Sequence, residues 1–323
     1  MTVAITHTAA VSALGTGTRG EQPLANPRAR RAHKMMSRAA YLAARCLADL
    51  LRDTQWPRDR VGYFLGVGAS GGSLDDIMAL LDESMIGGAF SLPRFGDRGL
   101  AACNPLLAFQ LMNNFTMCHG AILEGIGGPN AALFSRGAGT IAAIAEAVHA
   151  VRSGECERAI AGGADAATHP VTVAELARDG FIARGLAPAD ACGLVAIATA
   201  SPGEDAVIVE GCAHACGRAR LAGDAVADAM SRAQLAGDAA VDSVVIAPWG
   251  PPAADALRSF AAARHATATV VDLSSLGESL AASAALAVIA AVDLLASSPG
   301  RVVVLTLGVD GDPGVVVLSR GVA

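Results

Sequence analysis

Aromatic residues are scarce in this chain, 4% of 323 residues, although 53% are hydrophobic. A core must therefore be built from Ala, Val, Leu and Ile, a mix that suits helices packed closely on parallel sheets. Long basic runs are missing as well. The net charge is −6, and the cluster Arg28, Arg30 and Arg31 is short enough to read as a solvated turn, so no nucleic acid is expected as a partner. No charged-then-apolar secretory leader opens the chain. The longest apolar run, Leu280–Ala296, is dominated by Ala and broken by Asp293, which reads as a helix buried in protein and not as a membrane span. Seven cysteines lack framework spacing, as expected of a protein in the reducing cytoplasm. Cys212, His214 and Cys216 in CAHAC have no second ligand pair, so a strand-to-loop segment is preferred there to a zinc site.

What the chain does have is a stretch around which the rest is organised, Gly127–Ala166 (GGPNAALFSRGAGTIAAIAEAVHAVRSGECERAIAGGADA). It reads as a buried strand (Ala131–Phe134), a small-residue turn (Ser135–Gly139), an Ala-rich helix (Thr140–Arg152) and a second strand (Arg158–Ala161). A strand running straight into a helix places the turn at the helix N-terminus, where unpaired N–H groups and a partial positive charge favour an anion or thiolate. The seat suits a nucleophile, yet the chain puts none there.

The remaining elements fall into two similar series. Thr2–Ile5, Val61–Val67 and Cys192–Ala200 read as strands of a first half. Ala206–Cys212, Val241–Ala247, Thr267–Leu273, Arg301–Leu307 and Gly314–Ser319 read as strands of a second. Each half holds one long Ala-rich helix, Thr140–Arg152 or Ser279–Ala296. Two helices apolar on all sides must be covered all round, which places them back to back between two sheets. The expected fold is α/β, a duplicated five-layer α-β-α-β-α sandwich, with halves at residues 1–205 and 206–323 forming one compact unit.

This arrangement resembles the thiolase fold, and the motifs resemble the β-ketoacyl-ACP synthases within it, over nearly the whole chain. Gly128-Pro129-Asn130 opens the third strand as in those synthases, and the ungapped distance to Ala161-Gly162-Gly163-Ala164-Asp165 matches. Val61–Gly72 resembles the second strand and glycine loop, Arg31–Ala48 the first helix and Gly314–Arg320 the last strand. The chain is short for the family, mainly before residue 60 and around residues 185–240.

The resemblance implies an acyl-carrying cysteine at the helix N-terminus and two histidines that promote decarboxylation and stabilise the enolate and oxyanion. Aligned on Gly128-Pro129, the cysteine position is Gly137; the histidine positions are Trp249 and Glu278, and the family's lysine becomes Leu273. Glycine has no nucleophile, tryptophan cannot exchange a proton, and an ionised Glu278 would repel a malonyl carboxylate. Trp249 is large enough to be expected to plug the old pocket.

Such empty siblings resemble chain-length factors, the non-catalytic β subunits of type II ketosynthases in polyketide, aryl-polyene or fatty-acid-like elongation. In those siblings the cysteine is usually glutamine, a pattern from which Gly137 departs. The resemblance implies a catalytic ketosynthase α subunit and an acyl carrier protein as partners, with no cofactor, no metal and no membrane. It makes Asn130–Ser135, with Phe134, an interface edge. Phe109–His119 becomes the tunnel end, walled by Phe109, Met112, Phe115 and Met117, against the plainer reading that these four are core.

Other readings stay open. Gly66-Val67-Gly68-Ala69-Ser70-Gly71 satisfies a dinucleotide-loop pattern, but Glu83, near the required acidic position, sits in a helical pattern. Ser135 and Cys118 are the substitute nucleophiles for an acyltransferase or hydrolase, although Ser135 lacks the G-x-S-x-G elbow and Cys118 and His119 are expected on opposite faces of a strand. A homodimeric pseudoenzyme is the third alternative. Glu146 and His149 share a helix face and are expected as a buried structural pair.

Overall fold

The structure, a computed structural model, describes residues 1–12, 24, 28–68, 71–201, 205–215, 222–232, 240–247 and 251–321. The first five main strands are β1 (Val3–Ser12), β2 (Val61–Val67), β3 (Asn130–Phe134), β4 (Arg158–Ala166) and β5 (Asp190–Thr199). The next five are β6 (Val207–His214), β7 (Ser243–Ile246), β8 (Thr269–Asp272), β9 (Gly300–Leu307) and β10 (Pro313–Arg320). Their spatial order is β8-β7-β9-β10-β6-β1-β5-β4-β2-β3.

Read outward from the middle, both sets follow one rule. The first strand pairs with the fifth, the fifth with the fourth, the fourth with the second and the second with the third. The pairing senses also repeat: β2 is parallel to β3 and β4, as β7 is to β8 and β9, whereas β5 and β10 are antiparallel to both their neighbours in the set. The sets meet through two residue pairs, Ala4–Ile208 and Ile5–Val207. Two five-stranded sheets thus share a narrow seam.

Helices α1 (Arg38–Leu51), α2 (Leu74–Ser84), α3 (Phe115–Glu124), α4 (Gly139–Ser153) and α5 (Pro170–Arg178) belong to the first half of the chain, and α6 (Ala222–Arg232), α7 (Pro251–Arg264) and α8 (Ser283–Ser297) to the second. One apolar cluster joins α4 and α8 to the inner faces of both sheets, from Ile141, Ile144 and Val288 to Phe64, Val195, Val304 and Val316. A second packs α1 and α3 on the outer face of the first sheet through Leu47, Leu50 and Met117. A third packs α6 and α7 on the outer face of the other sheet through Val226, Met230 and Leu257. The layers run α-β-α-β-α. Covered by helices on both faces, β2 (VGYFLGV) is buried at all seven positions, the continuous apolar run that a doubly covered parallel strand requires.

Leu280–Ser297 is long and apolar enough to cross a membrane by composition, but Ala284, Ala287, Val288, Ala291 and Leu295 are spent on the inter-sheet core. Local signals set the helix ends: the Ser37 hydroxyl accepts from the Ala40 amide to start α1, and Gly154 closes α4 at φ +80°.

Three expectations need correction. The segment holding Cys118 and His119 is helix α3 and not a strand, so the two side chains diverge by helical rotation. Glu146 and His149 are exposed, so α4 keeps a wet stripe and no buried pair exists there. The second central helix does not start at Ser279; a short 3-10 turn, Leu280–Ala282, precedes α8. Between β4 and β5 lies α5, whose first residue is Pro170, a favourable N1 residue.

Candidate functional site

The seat at the start of α4 is filled by the protein itself. Gly137, the position that the resemblance gives to the nucleophile, is buried, and a Cβ built on it would lie 2.2 Å from Gly308 Cα in the turn between β9 and β10. The converse contact is equally close, since a Cβ on Gly308 would lie 2.5 Å from Gly137 Cα. Two backbones touch where a side chain would stand. The turn is anchored there: the Asp310 carboxylate accepts from the Arg136 amide at 3.1 Å, and Gly308 N–H donates to Asp312 O at 3.1 Å.

The amides that would polarise a bound anion are also engaged. Ser135 Oγ accepts from Gly137 N–H at 3.3 Å and from Ala138 N–H at 3.1 Å, closing the turn that leads into α4. A hydroxyl used in this way is a poor nucleophile, and among the described residues no histidine or carboxylate is hydrogen-bonded to it. Cys118, the other candidate, has its thiol pushed above the ordinary value by burial, which opposes thiolate formation.

Glu278 is 2% exposed. Its Oε1 accepts from Leu280 N–H at 2.6 Å and from the Ser283 hydroxyl at 2.7 Å, while Oε2 is buried with no protein partner. Burial drives its pKa well above the usual carboxylate range, only partly offset by the bonds to Ser283 and Leu280. Glu278 turns inward to hold its own loop. Trp249, at the other histidine position, lies outside the described residues, so its plugging of the pocket has no structural account.

Asp165 carries a signal that the sequence reading passed over, because it was read only as the last letter of a turn motif. It is 1% exposed; Oδ1 accepts from Ala166 N–H at 2.8 Å and Oδ2 from Ala281 N–H at 3.5 Å. Burial, with a smaller push from Asp190, raises its pKa to about 7 against the pull of these amides and of Arg136.

With this geometry in view, the comparisons with known proteins can be stated. Residues 19–215 match the β-ketoacyl synthase N-terminal domain family. The chain belongs to the β-ketoacyl synthase family. No curated protein matches it. Among solved structures it is similar to the ishigamide ketosynthase/chain length factor, at TM-score 0.78 and 22% identity over 99% of both chains. It is also similar to a β-ketoacyl synthase from Burkholderia phymatum STM815, at TM-score 0.74 and 18% identity over 99% of this chain and 100% of that one. A third similar structure is the AntDE:AntF type II PKS acyl-carrier protein in complex with its ketosynthase, at TM-score 0.75 and 11% identity over 99% of both chains. The fold is thus the thiolase-like fold of ketosynthases.

The other residues singled out in this family member separate into two groups. β3 is an outer strand paired only with β2, and Asn130 and Phe134 at its ends are exposed, Phe134 to 58%. Phe109 and Met112 are 37% and 50% exposed, which removes the core reading for both, whereas Met117 is 3% exposed and packs under the first sheet. Phe115 bridges the groups: its ring meets Phe109 edge-on at 4.9 Å and His119 at 5.5 Å.

The dinucleotide-loop pattern has a packing cause. A Cβ on Gly68 would lie 1.6 Å from Asp165 Oδ2, so the glycine admits a carboxyl of the protein where a phosphate loop would admit its ligand. Ala69 and Ser70 of that pattern lie outside the described residues, as does Cys216 of CAHAC. The Cys212 thiol donates to Ile141 O at 3.2 Å, and burial pushes its pKa up to about 12, so it is held as an inward-facing thiol.

Proposed function

We propose that this chain is a non-catalytic β subunit, a chain-length factor, of a heterodimeric type II β-ketoacyl-ACP synthase. The observation that carries the reading is the Gly137–Gly308 contact. The position that would hold the acyl thioester lacks a thiol and also lacks the volume for any side chain, since backbone occupies the place of the Cβ. The carboxyl at the second histidine position is buried, with one oxygen bonded within its own loop, and takes no imidazole's place as a base.

The catalytic cysteine and both histidines are assigned to a ketosynthase α subunit, with an acyl carrier protein delivering the substrate. In this reading Asn130, Phe134 and Ser135 mark the dimer edge, and Phe109, Met112 and Phe115 form the adaptable apolar wall against the growing chain. The exposure of Phe134, Phe109 and Met112 supports it, because large apolar side chains left in water on one stretch of chain mark a contact surface. The likeness to the ishigamide ketosynthase/chain length factor supports it too.

The test is co-expression with a ketosynthase that keeps cysteine and both histidines, then size-exclusion and intact-mass analysis after incubation with acyl-carrier thioester. The expected result is a one-to-one complex acylated on the ketosynthase alone. Acylation of this chain would overturn the reading and return attention to Ser135 and Cys118. Stable self-association with acyl binding and no partner would favour a homodimeric pseudoenzyme.

A further inference from the structure

Of the eleven residues of α2 only Ser84 is buried, although six of them are apolar. A helix on a folded unit ordinarily turns its apolar stripe to the core. Here Leu74, Met78 and Leu81, which share one face, are all exposed. The stripe runs on into the hairpin Met85–Ile86/Ala89–Phe90, where Ile86 and Phe90 are exposed, and to Leu92, which is 70% exposed. Fifteen large apolar residues are exposed among the described residues, and ten of them lie between Leu74 and Met112.

The inner side of this ledge is fixed. Ser73 Oγ accepts from Asp76 N–H at 3.4 Å and caps the helix. Asn104 N–H donates to Asp76 Oδ1 at 3.2 Å, Ser73 N–H donates to Gln110 Oε1 at 3.1 Å, and the Phe90 and Phe95 rings meet at 5.8 Å. The ledge also stands beside β3. Val67, the last residue of β2, is paired with Phe134, the last of β3, and α2 begins seven residues after Val67.

Size and charge together say what covers it. The ten side chains expose an area on the order of the 800 Å² that one partner gives to a standard interface, above the few hundred Å² of apolar patch usual on a monomer. α2 carries Asp75, Asp76, Asp82 and Glu83 and no basic residue. Glu83 is paired with Arg94 at 3.6 Å, whereas Asp75 and Asp82 are exposed and have no ion pair among the described residues. Seven residues apart, these two stand on the same flank of the stripe. Asp82 lies in the last turn, where the helix dipole disfavours a carboxylate. Two copies of α2 packed about a two-fold axis would set acid on acid in either sense. Antiparallel, the Asp75 end of one meets the Asp82 end of the other; parallel, each end meets its own kind. Like charges so placed oppose self-pairing and favour a partner with a basic rim.

We propose that the α2 ledge is the docking face for the ketosynthase α subunit, a partner whose facing surface has an apolar centre and Lys or Arg at its rim. The inference rests on the heterodimer reading and deepens it: the acidic flank of α2 selects an unlike chain over a second copy. β3 then supplies the edge of the contact, and the ledge its apolar area.

The test uses the full chain and a ketosynthase that keeps cysteine and both histidines. Hydrogen exchange over residues 74–92 is followed with and without that subunit. Affinity is measured for the native chain, for Met78→Asp and for the double variant Asp75→Lys with Asp82→Lys. Exchange along α2 is expected to slow at least about tenfold in the complex, and Met78→Asp to bind at least about tenfold more weakly. The double variant is expected to bind more weakly and with less dependence on salt. All three side chains stand in water in the free chain, so its melting should not change. A native complex in which α2 exchanges as before, or one that Met78→Asp forms equally well, overturns the ledge and leaves the heterodimer reading standing. Absence of any complex with the native chain overturns that reading and this occupant with it. Sedimentation of the chain alone supplies the last arm: self-association that Met78→Asp abolishes would assign the ledge to a second copy and overturn the proposal. Should a variant fail to fold, exchange in the native chain decides.

Discussion

Restoring the missing thiol by Gly137→Cys tests the central argument directly. The new Cβ would stand 2.2 Å from Gly308 Cα, against 3.4–4 Å for ordinary contact, so the two backbones must part by about 1.2 Å before the sulfur is placed at all. The turn is not free to retreat. Gly308 N–H is bonded to Asp312 O, Gly311 N–H to Gly308 O at 2.8 Å, and the Asp310 carboxylate to the Arg136 amide. Inserting atoms into a packed site of this kind costs about 1–3 kcal/mol. For a chain of this size that is a Tm loss of about 2 °C per kcal/mol, or about 2–6 °C in all. The assay pairs scanning calorimetry with intact-mass analysis after exposure to acyl-carrier thioester. The expected variant is less stable and carries no acyl group. A variant with the native Tm that becomes acylated would refute the reasoning, because it would mean that the seat is open and lacks only its sulfur.

Ser135→Ala should cost about 1 kcal/mol in urea unfolding, the worth of a hydroxyl bonded to the Gly137 and Ala138 amides in the turn before α4, and should leave the acylation pattern unchanged. Loss of an acyl adduct on this substitution would instead mark Ser135 as a nucleophile. Phe134→Asp should leave the melting of the isolated chain within about 0.5 kcal/mol while weakening a ketosynthase complex at least about tenfold by titration calorimetry; unchanged affinity would remove β3 from the interface. Met117→Ala should destabilise the chain by about 2–5 kcal/mol, and Met112→Ala by less than about 0.5 kcal/mol. Equal effects in urea unfolding would show that the two methionines share one environment, contrary to their burial.

Much of the architecture is legible in the letters because its causes are local. The apolar run of β2 can only be a strand covered on both faces, and the small-residue surfaces of α4 and α8 can only be packed from several sides. The strand–turn–helix around Gly137 needs no more than the ordering of β-formers, small residues and Ala. What escaped has non-local causes. Nothing near Gly137 in the chain announces that Gly308, in a distant hairpin, lies against it, and nothing in a glutamate between Gly277 and Ser279 says that it is buried and bonded to Ser283. Glu146 and His149 were misjudged for a related reason. Their shared face follows from helical spacing, but which side of α4 meets water depends on where the second sheet ends. Cys118 and His119 were assigned to a strand from their neighbours' residue types, and helix α3 arises from packing against α1 that those neighbours do not encode.

The glycine pair has a consequence for the history open to this sequence. A codon change at position 137 alone sets a side chain against Gly308, and a change at 308 alone sets one against Gly137, since each backbone fills the other's Cβ position. Neither change by itself places a thiol at position 137 without displacing backbone. The turn between β9 and β10 would first have to shift, and that shift brings no benefit until the thiol arrives. On the proposed reading the contact would work as a ratchet, holding the chain in a non-catalytic role even if selection later came to favour activity.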